Sequence, residues 1–359
     1  MRITEIDLDP AARVRANLPN TARRRSRIME KVRHVYLRTA RDTVLQVHFE
    51  GLMEDLTERR EPEAAIDAKA RAELLEGNIL VVLGESGAGK STAIRRLLSK
   101  HPLSPNYGRK AVGSFALTVR VPSPCSVGEL GKTVLRATGY KVGRSTISAA
   151  ETWGIVRERL QALGVLVLHL DEFQDAHLTL RADEQIKLRH LLRSLLVDED
   201  YPIGLIVSGQ PSFETFLRPD RSSVRRGRWQ AFAKLSLPAD SGAVTKAAAA
   251  LAKVADLTVA ADFDHAVLPR LVHAGCNMLG ITIEEIHDAI RYALTNDRSE
   301  LDLGCFAEAF ALRTGNLAPW NPYLAADYLA VDPTRVLATS NPPPPEEEAK
   351  RGKSRKARE

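Results

Sequence analysis

Two short stretches of this chain carry residue types at spacings suited to phosphate chemistry. Gly84-Glu85-Ser86-Gly87-Ala88-Gly89-Lys90-Ser91-Thr92 fits the pattern GxxxxGK[ST] and directly follows the apolar run Ile79-Leu80-Val81-Val82-Leu83, which reads as a strand. Glycines at 84, 87 and 89 let the backbone wrap an anion with its N–H groups inward. A helix starting near Lys90 aims its positive end at the same charge. The spacing therefore assigns residues 84–92 to the phosphates of a nucleoside triphosphate, with the Lys90 ammonium on the β and γ phosphates and the Ser91 hydroxyl on Mg2+.

The second stretch is Val165-Leu166-Val167-Leu168-His169-Leu170-Asp171-Glu172, an apolar strand ending in adjacent carboxylates. Asp171 is predicted to hold Mg2+, commonly through water. Glu172 is predicted to orient and polarise the water that attacks the γ phosphate. A small-molecule kinase has to exclude that water, so the pair favours hydrolysis, with Lys90 and Glu172 as catalytic groups. His169 stands where an aliphatic residue is usual. It reads as a hydrogen-bonded structural histidine, because strand alternation and the following turn scatter it from Asp171 and His177 as metal ligands.

Two further segments belong to the same reading. In Leu205-Ile206-Val207-Ser208-Gly209-Gln210, a strand ends on Ser208 and Gln210, which either sense the γ phosphate or simply terminate the strand. In Arg221-Ser222-Ser223-Val224-Arg225-Arg226-Gly227-Arg228, Arg225 or Arg226 is placed to reach a neighbouring subunit's γ phosphate. A solvated basic loop or a nucleic-acid contact is the alternative there.

These residues need a scaffold. Strands are predicted at 79–83, 114–121, 165–170, 203–208 and 231–237, alternating with helices at 90–100, 126–138, 149–163 and 183–197. That alternation predicts an α/β fold with a five-stranded parallel sheet covered on both faces. Apolar residues recur at three- and four-residue intervals over 26–56, a helical arm. Helices at 243–255, 262–273, 281–294 and 303–312 read as a lid subdomain. The division is then 1–60, a basic helical amino-terminal arm; 61–238, the nucleotide core; 239–330, the helical lid and carboxy-terminal segment; and 331–359, a disordered tail, its end too polar to bury a core.

The 359 residues carry 51 Lys and Arg against 45 Asp and Glu, a net charge of +6. The basic residues cluster at 23–41, 218–228 and 350–358, which suits a polyanion partner. Three scattered cysteines build neither a disulfide framework nor a zinc site and imply a reducing cytoplasm. The amino-terminal arginines surround no apolar segment, and nowhere do about eighteen apolar residues run together, so neither a leader nor a membrane span is expected.

Loop, Asp-Glu strand, polar strand end, arginine cluster and helical lid in this order resemble an AAA+ ATPase across residues 60–300. The resemblance narrows to the TniB/TnsC group, related to MuB and IstB, through four features. These are a basic arm carrying Arg33-His34-Val35-Tyr36, the GESGAGKST and HLDEFQ motifs, and an ending with Gly315-Asn316, Asn321-Pro322-Tyr323 and Ala326-Asp327-Tyr328. It implies an ATP- and Mg2+-dependent regulator of transposition that assembles as a homo-oligomer, a ring or helical filament, around duplex DNA. The implied partners are a transposase and a target-selection protein. DNA phosphates are then assigned to Lys132, Arg136, Lys141 and Arg144, with an exposed helix face as the alternative. The segment 274–280 lacks the arginine that many AAA+ proteins use as a second sensor, and no Asp/Asp/Glu set reads as a transposase metal site. An adaptor, signalling or helicase-loader ATPase acting on protein partners is the competing reading.

Overall fold

The computed structural model describes residues 10–58, 77–109, 112–142, 147–198, 201–219, 224–225 and 227–338. They form two compact units. One is Arg38–Ala233; the other joins Met1–Leu37 to Lys234–Glu359.

The chain enters the second unit through α1 (Pro10–Asn17) and α2 (Asn20–His34), then crosses at Leu37 into the first, where α3 (Ala40–Glu58) begins. The single helical periodicity over 26–56 is therefore broken. Val35 turns to extended backbone after α2, and the Thr39 N–H and hydroxyl both donate to Asp42 Oδ2 (2.7 Å each), satisfying donors at the start of α3. The segment read as a linker and short helix, 59–76, lies outside the described residues.

The first unit is built on β1 (Ile79–Leu83), α4 (Lys90–Lys100), β2 (Ala116–Arg120), α5 (Val127–Ala137), α6 (Ala149–Ala162), β3 (Val167–Asp171), α7 (Gln174–Thr179), α8 (Ala182–Leu196), β4 (Gly204–Gly209), α9 (Glu214–Leu217) and β5 (Gly227–Ala231). All neighbouring strands pair in parallel, in the order β2-β3-β4-β1-β5. The central strands β1, β3 and β4 are buried almost end to end, hence their unbroken apolar sequence. Hydroxyl caps start the helices that cover them: Ser126 accepts from the Glu129 N–H, and Ser148 and Glu151 form a reciprocal capping box.

The fifth strand lies at 227–231 and not at 231–237. It is a sheet edge with one neighbour, so only Gln230 is buried and the strand reads Gly-Arg-Trp-Gln-Ala. Its Arg228 forms an ion pair with Asp55 of α3. That guanidinium lies over Gly51, where an added Cβ would meet it at 2.9 Å. The apolar Phe232 and Leu235 that suggested a later strand are buried beyond its end.

The second unit continues with α10 (Ser241–Val254), β6 (Thr258–Val259), α11 (Phe263–Ala266), α12 (Leu268–Ala274), α13 (Leu279–Thr295), β7 (Glu300–Leu301) and α14 (Leu303–Thr314). The four predicted helical segments are present, the second as two short helices. The parallel β6–β7 pair is too short to show in the sequence pattern. Met29 and Val32 of α2 join Val244, Leu251, Ile286, Ile290, Phe306 and Tyr323 in this unit's core. Residues 331–338, assigned from sequence to a disordered tail, are ordered: Leu337 N–H donates to Thr314 O (2.9 Å) and Ala338 N–H to Asn316 Oδ1 (2.9 Å), closing the end of α14. The remainder, 339–359, lies outside the described residues.

Candidate functional site

The glycine loop runs from the end of β1 into α4. Gly87 and Gly89 hold φ of 78° and 92°, in the left-handed region where a side chain is strained. Gly84 has no room for one, since a Cβ would stand 2.9 Å from Phe232 Cβ. Inside this turn the Lys90 ammonium is buried and donates to Gly84 O (2.7 Å) and Glu85 O (3.0 Å). Burial lowers its pKa, opposed by the charges of Glu172, Asp171 and Glu85. Glu85, Ser86 and Thr92 are exposed, whereas Ala88 is buried. Two loop carbonyls hold this ammonium at the start of α4, where a polyphosphate would take their place as its acceptor.

At the end of β3, Asp171 gathers four donors. Its Oδ1 accepts from Ser91 Oγ (2.8 Å), Ser208 Oγ (2.7 Å) and the Glu172 N–H (3.2 Å), and its Oδ2 from Arg95 Nη2 (3.1 Å). Burial works to raise this carboxyl, but His169, the two hydroxyls and Arg95 outweigh it, and the net shift is downward. The Ser91 and Asp171 oxygens suit a hard cation such as Mg2+. Ser91 and Arg95 are four apart on α4, which places both on the face turned to Asp171.

Behind Asp171 runs a polar chain, fully buried at Ser208 and His169 and half-buried at Thr118 and Tyr107. His169 Nε2 lies 2.8 Å from Ser208 Oγ, His169 Nδ1 3.1 Å from Thr118 Oγ1, and Thr118 Oγ1 2.6 Å from Tyr107 Oη. Its proton order follows from the carboxylate, which only accepts. Ser208 must donate to Asp171, so His169 donates to Ser208 through Nε2–H, accepts from Thr118 at Nδ1, and Thr118 accepts from Tyr107. Every hydrogen points toward Asp171. Burial holds His169 neutral by lowering its pKa to about 4, which agrees with this tautomer.

Glu172 follows in left-handed backbone, φ 59°, a conformation that costs a non-glycine residue about 1–3 kcal/mol. Its Oε2 accepts from Gln174 Nε2 at 2.5 Å, and Gln174 Oε1 in turn accepts from the Gln210 N–H (3.0 Å). One buried amide thus joins the acidic pair to the end of β4.

Of the residues singled out from sequence, Lys90, Ser91, Asp171, Glu172 and Ser208 converge within the first unit, and Gln210 joins them through its backbone. Arg225 is exposed ahead of β5, and Arg226 lies outside the described residues. Lys132 is half-buried on α5, Arg136 is held by Glu129 (2.8 Å), Lys141 is exposed, and Arg144 lies outside the described residues. Sequence reasoning missed Arg95, Gln174, Thr118 and Tyr107. Gln174 stood two residues beyond Glu172 in HLDEFQ, and Arg95 one turn beyond Ser91.

The sheet order, the glycine loop after β1 and the acidic pair after β3 define a class: an AAA+ P-loop core. Residues 74–217 match the family model described as AAA domain, AAA_22. Solved chains share the fold. The ORC1 protein of Aeropyrum pernix, in complex with DNA, is 14% identical with a TM-score of 0.54 over 80% of this chain and 69% of that one. Cdc6p from Pyrobaculum aerophilum is 13% identical, TM-score 0.50, over 72% and 70%. Drosophila ORC bound to DNA is 13% identical, TM-score 0.51, over 80% and 65%. No curated protein matches the sequence.

Proposed function

We propose that this protein is an ATP-hydrolysing, sequence-tolerant DNA-binding regulator of the TniB/TnsC type, which assembles on target duplex as a ring or filament and recruits a transposase. The observation that carries the ATPase reading is the convergence of Lys90, Ser91 and the Asp171–Glu172 pair around one anion-shaped turn. The glycine-loop N–H groups and Lys90 bind and orient the triphosphate. Ser91 and Asp171 would hold Mg2+, which neutralises charge on the β and γ oxygens. Glu172, fixed by Gln174, aligns water for in-line attack and takes up its proton. Ser208 and Gln210 report the γ phosphate to the end of β4, and Arg225 or Arg226 completes the site of a neighbouring protomer.

The DNA reading draws its support from α2. Asn20, Arg23, Arg24, Arg27 and Lys31 line one groove of that helix, with Asp256 as the single acid there. Arg24, Arg27 and Lys31 are exposed, whereas Met29 and Val32 are buried in the unit's core. With its apolar side already used, the helix has no face left to insert into a lipid surface, so its basic face suits phosphodiester backbone. This stripe is a better candidate than the α5 set, in which Arg136 is already paired. The narrower assignment to transposition draws on GESGAGKST, HLDEFQ and the ending with Gly315-Asn316, Asn321-Pro322-Tyr323 and Ala326-Asp327-Tyr328.

The test is retention of random-sequence duplex across a salt series, with and without a non-hydrolysable ATP analogue. ATP-dependent binding is expected, with a log–log salt slope that falls by about 0.9 for each of Arg24, Arg27 and Lys31 replaced by alanine. A parent chain that ignores duplex at low salt when loaded with the analogue would overturn the reading. Co-purification with a co-expressed transposase tests the finer assignment.

A further inference from the structure

A cavity of about 300 Å3 opens at the β2 edge of the core sheet, and no residue of the glycine loop lines it. Arg95 reaches it from α4, Arg109 and Tyr107 from the connection that follows, and Thr118 and Arg120 from β2. Three arginines line it and no Asp or Glu does. Arg109 and Arg120 are exposed, and among the described residues neither forms an ion pair. Arg95 already meets a carboxylate in Asp171, whereas the cavity wall offers none to Arg109 and Arg120, and planar arginine forks match phosphate oxygens. Val112, Leu117 and Leu163 give the cavity an apolar side, and its volume suits a small ligand.

Two independent routes connect this cavity to the metal carboxylate. Arg95 lines it and also bonds Asp171 Oδ2 at 3.1 Å. Tyr107 and Thr118, also on its wall, are the first two members of the hydroxyl–imidazole chain whose last donor is Ser208. The strand register explains the convergence: Thr118 pairs with His169 and Arg120 with Asp171, so all four share one face of the sheet.

We propose that the cavity is a second ligand site, selective for a phosphate group, and that its occupant draws the Arg95 fork off Asp171 and so strengthens metal binding there. The phosphate comes either from a free anion or from a nucleic-acid backbone at the sheet edge; the recognising chemistry is the same. The binding half stands on the cavity alone. The coupling half rests on the proposed role of Asp171.

The experiment uses the full chain with its loop saturated by a non-hydrolysable ATP analogue. Inorganic phosphate is titrated in one arm and a short single-stranded oligonucleotide without terminal phosphate in the other, by calorimetry. Saturable binding in either arm, weakened at least tenfold by Arg109→Ala with Arg120→Ala and only partly restored by the paired lysine substitutions, which keep the charge but not the fork, supports the site and identifies its source. Binding absent from both arms, or indifferent to the arginines, overturns it. Mn2+ affinity, read by electron paramagnetic resonance, should rise severalfold with the bound phosphate, and Arg95→Ala should give the same rise without it; no change in either case overturns the coupling. If Asp171→Asn leaves Mn2+ affinity unaltered, the metal assignment fails while the phosphate titration still decides the cavity.

Discussion

Gln174 Nε2 donates to Glu172 Oε2 at 2.5 Å while its Oε1 accepts from the Gln210 N–H. Its side chain is buried, so Glu172 is oriented by a group that never reaches solvent. A hydrogen bond to a charged group contributes about 1.5–3 kcal/mol. Gln174→Ala should therefore lower kcat for ATP hydrolysis at least tenfold with little change in KM. Steady-state kinetics check it, and an unchanged kcat would remove Gln174 from the site.

Lys90 and Glu172 should fail differently. Lys90→Ala removes the cation buried in the loop and should weaken nucleotide binding roughly 10- to 100-fold. Glu172→Gln keeps the hydrogen-bonding shape and should leave binding intact while turnover falls on the order of 100-fold or more. Fluorescent-nucleotide titration beside a phosphate-release assay separates the two, and hydrolysis undiminished in Glu172→Gln would refute the assignment.

Arg225 is exposed ahead of β5, and the proposal sets it against another protomer's nucleotide. Arg225→Ala and Glu172→Gln chains, each inactive alone, should recover part of the activity when mixed, because one interface then pairs an intact arginine with an intact glutamate. Mixtures as inactive as the separate chains would exclude Arg225 from completing the site in trans.

Glu285 gives the second unit a pH dependence. It is buried on α13, paired with Arg313 and accepting from Tyr323 Oη (3.4 Å). Burial, only partly opposed by Arg313, pushes its carboxyl up to about 7 from 4.5. A folded-state pKa above the unfolded one means that folding takes up a proton between those values. The contribution, about 3 kcal/mol at most, is complete below about pH 4.5 and lost as pH rises through about 7. Glu285→Gln should flatten that slope. Urea unfolding at pH 5–8, followed by the fluorescence of Trp320 with Trp153 and Trp229 replaced by phenylalanine, measures it; an equal slope in the variant would rule Glu285 out.

The phosphate loop and the acidic pair were legible because their chemistry is local: the glycine spacing and the run of apolar residues before Asp171 specify one turn and one strand end. The five strands were legible for the same reason, except β5, whose edge position removes the apolar signal that the central strands carry. Arg95, Thr118 and Tyr107 were not legible. Their roles depend on strand register and a helix face that bring residues dozens of positions apart into contact with His169 and Asp171, and no pattern along the chain encodes that meeting. His169 was recognised as a hydrogen-bonded residue, but its partners came only from the fold.

The second unit takes α2 from ahead of the core and its other helices from behind it. During translation, Met29 and Val32 leave the ribosome long before Ile286, Ile290 or Phe306 has been made. The arginine-bearing helix must wait, its apolar side uncovered, until almost the whole polypeptide has emerged. The surface proposed to meet duplex is thus withheld from nascent chains in a settled form and completed only in the finished molecule.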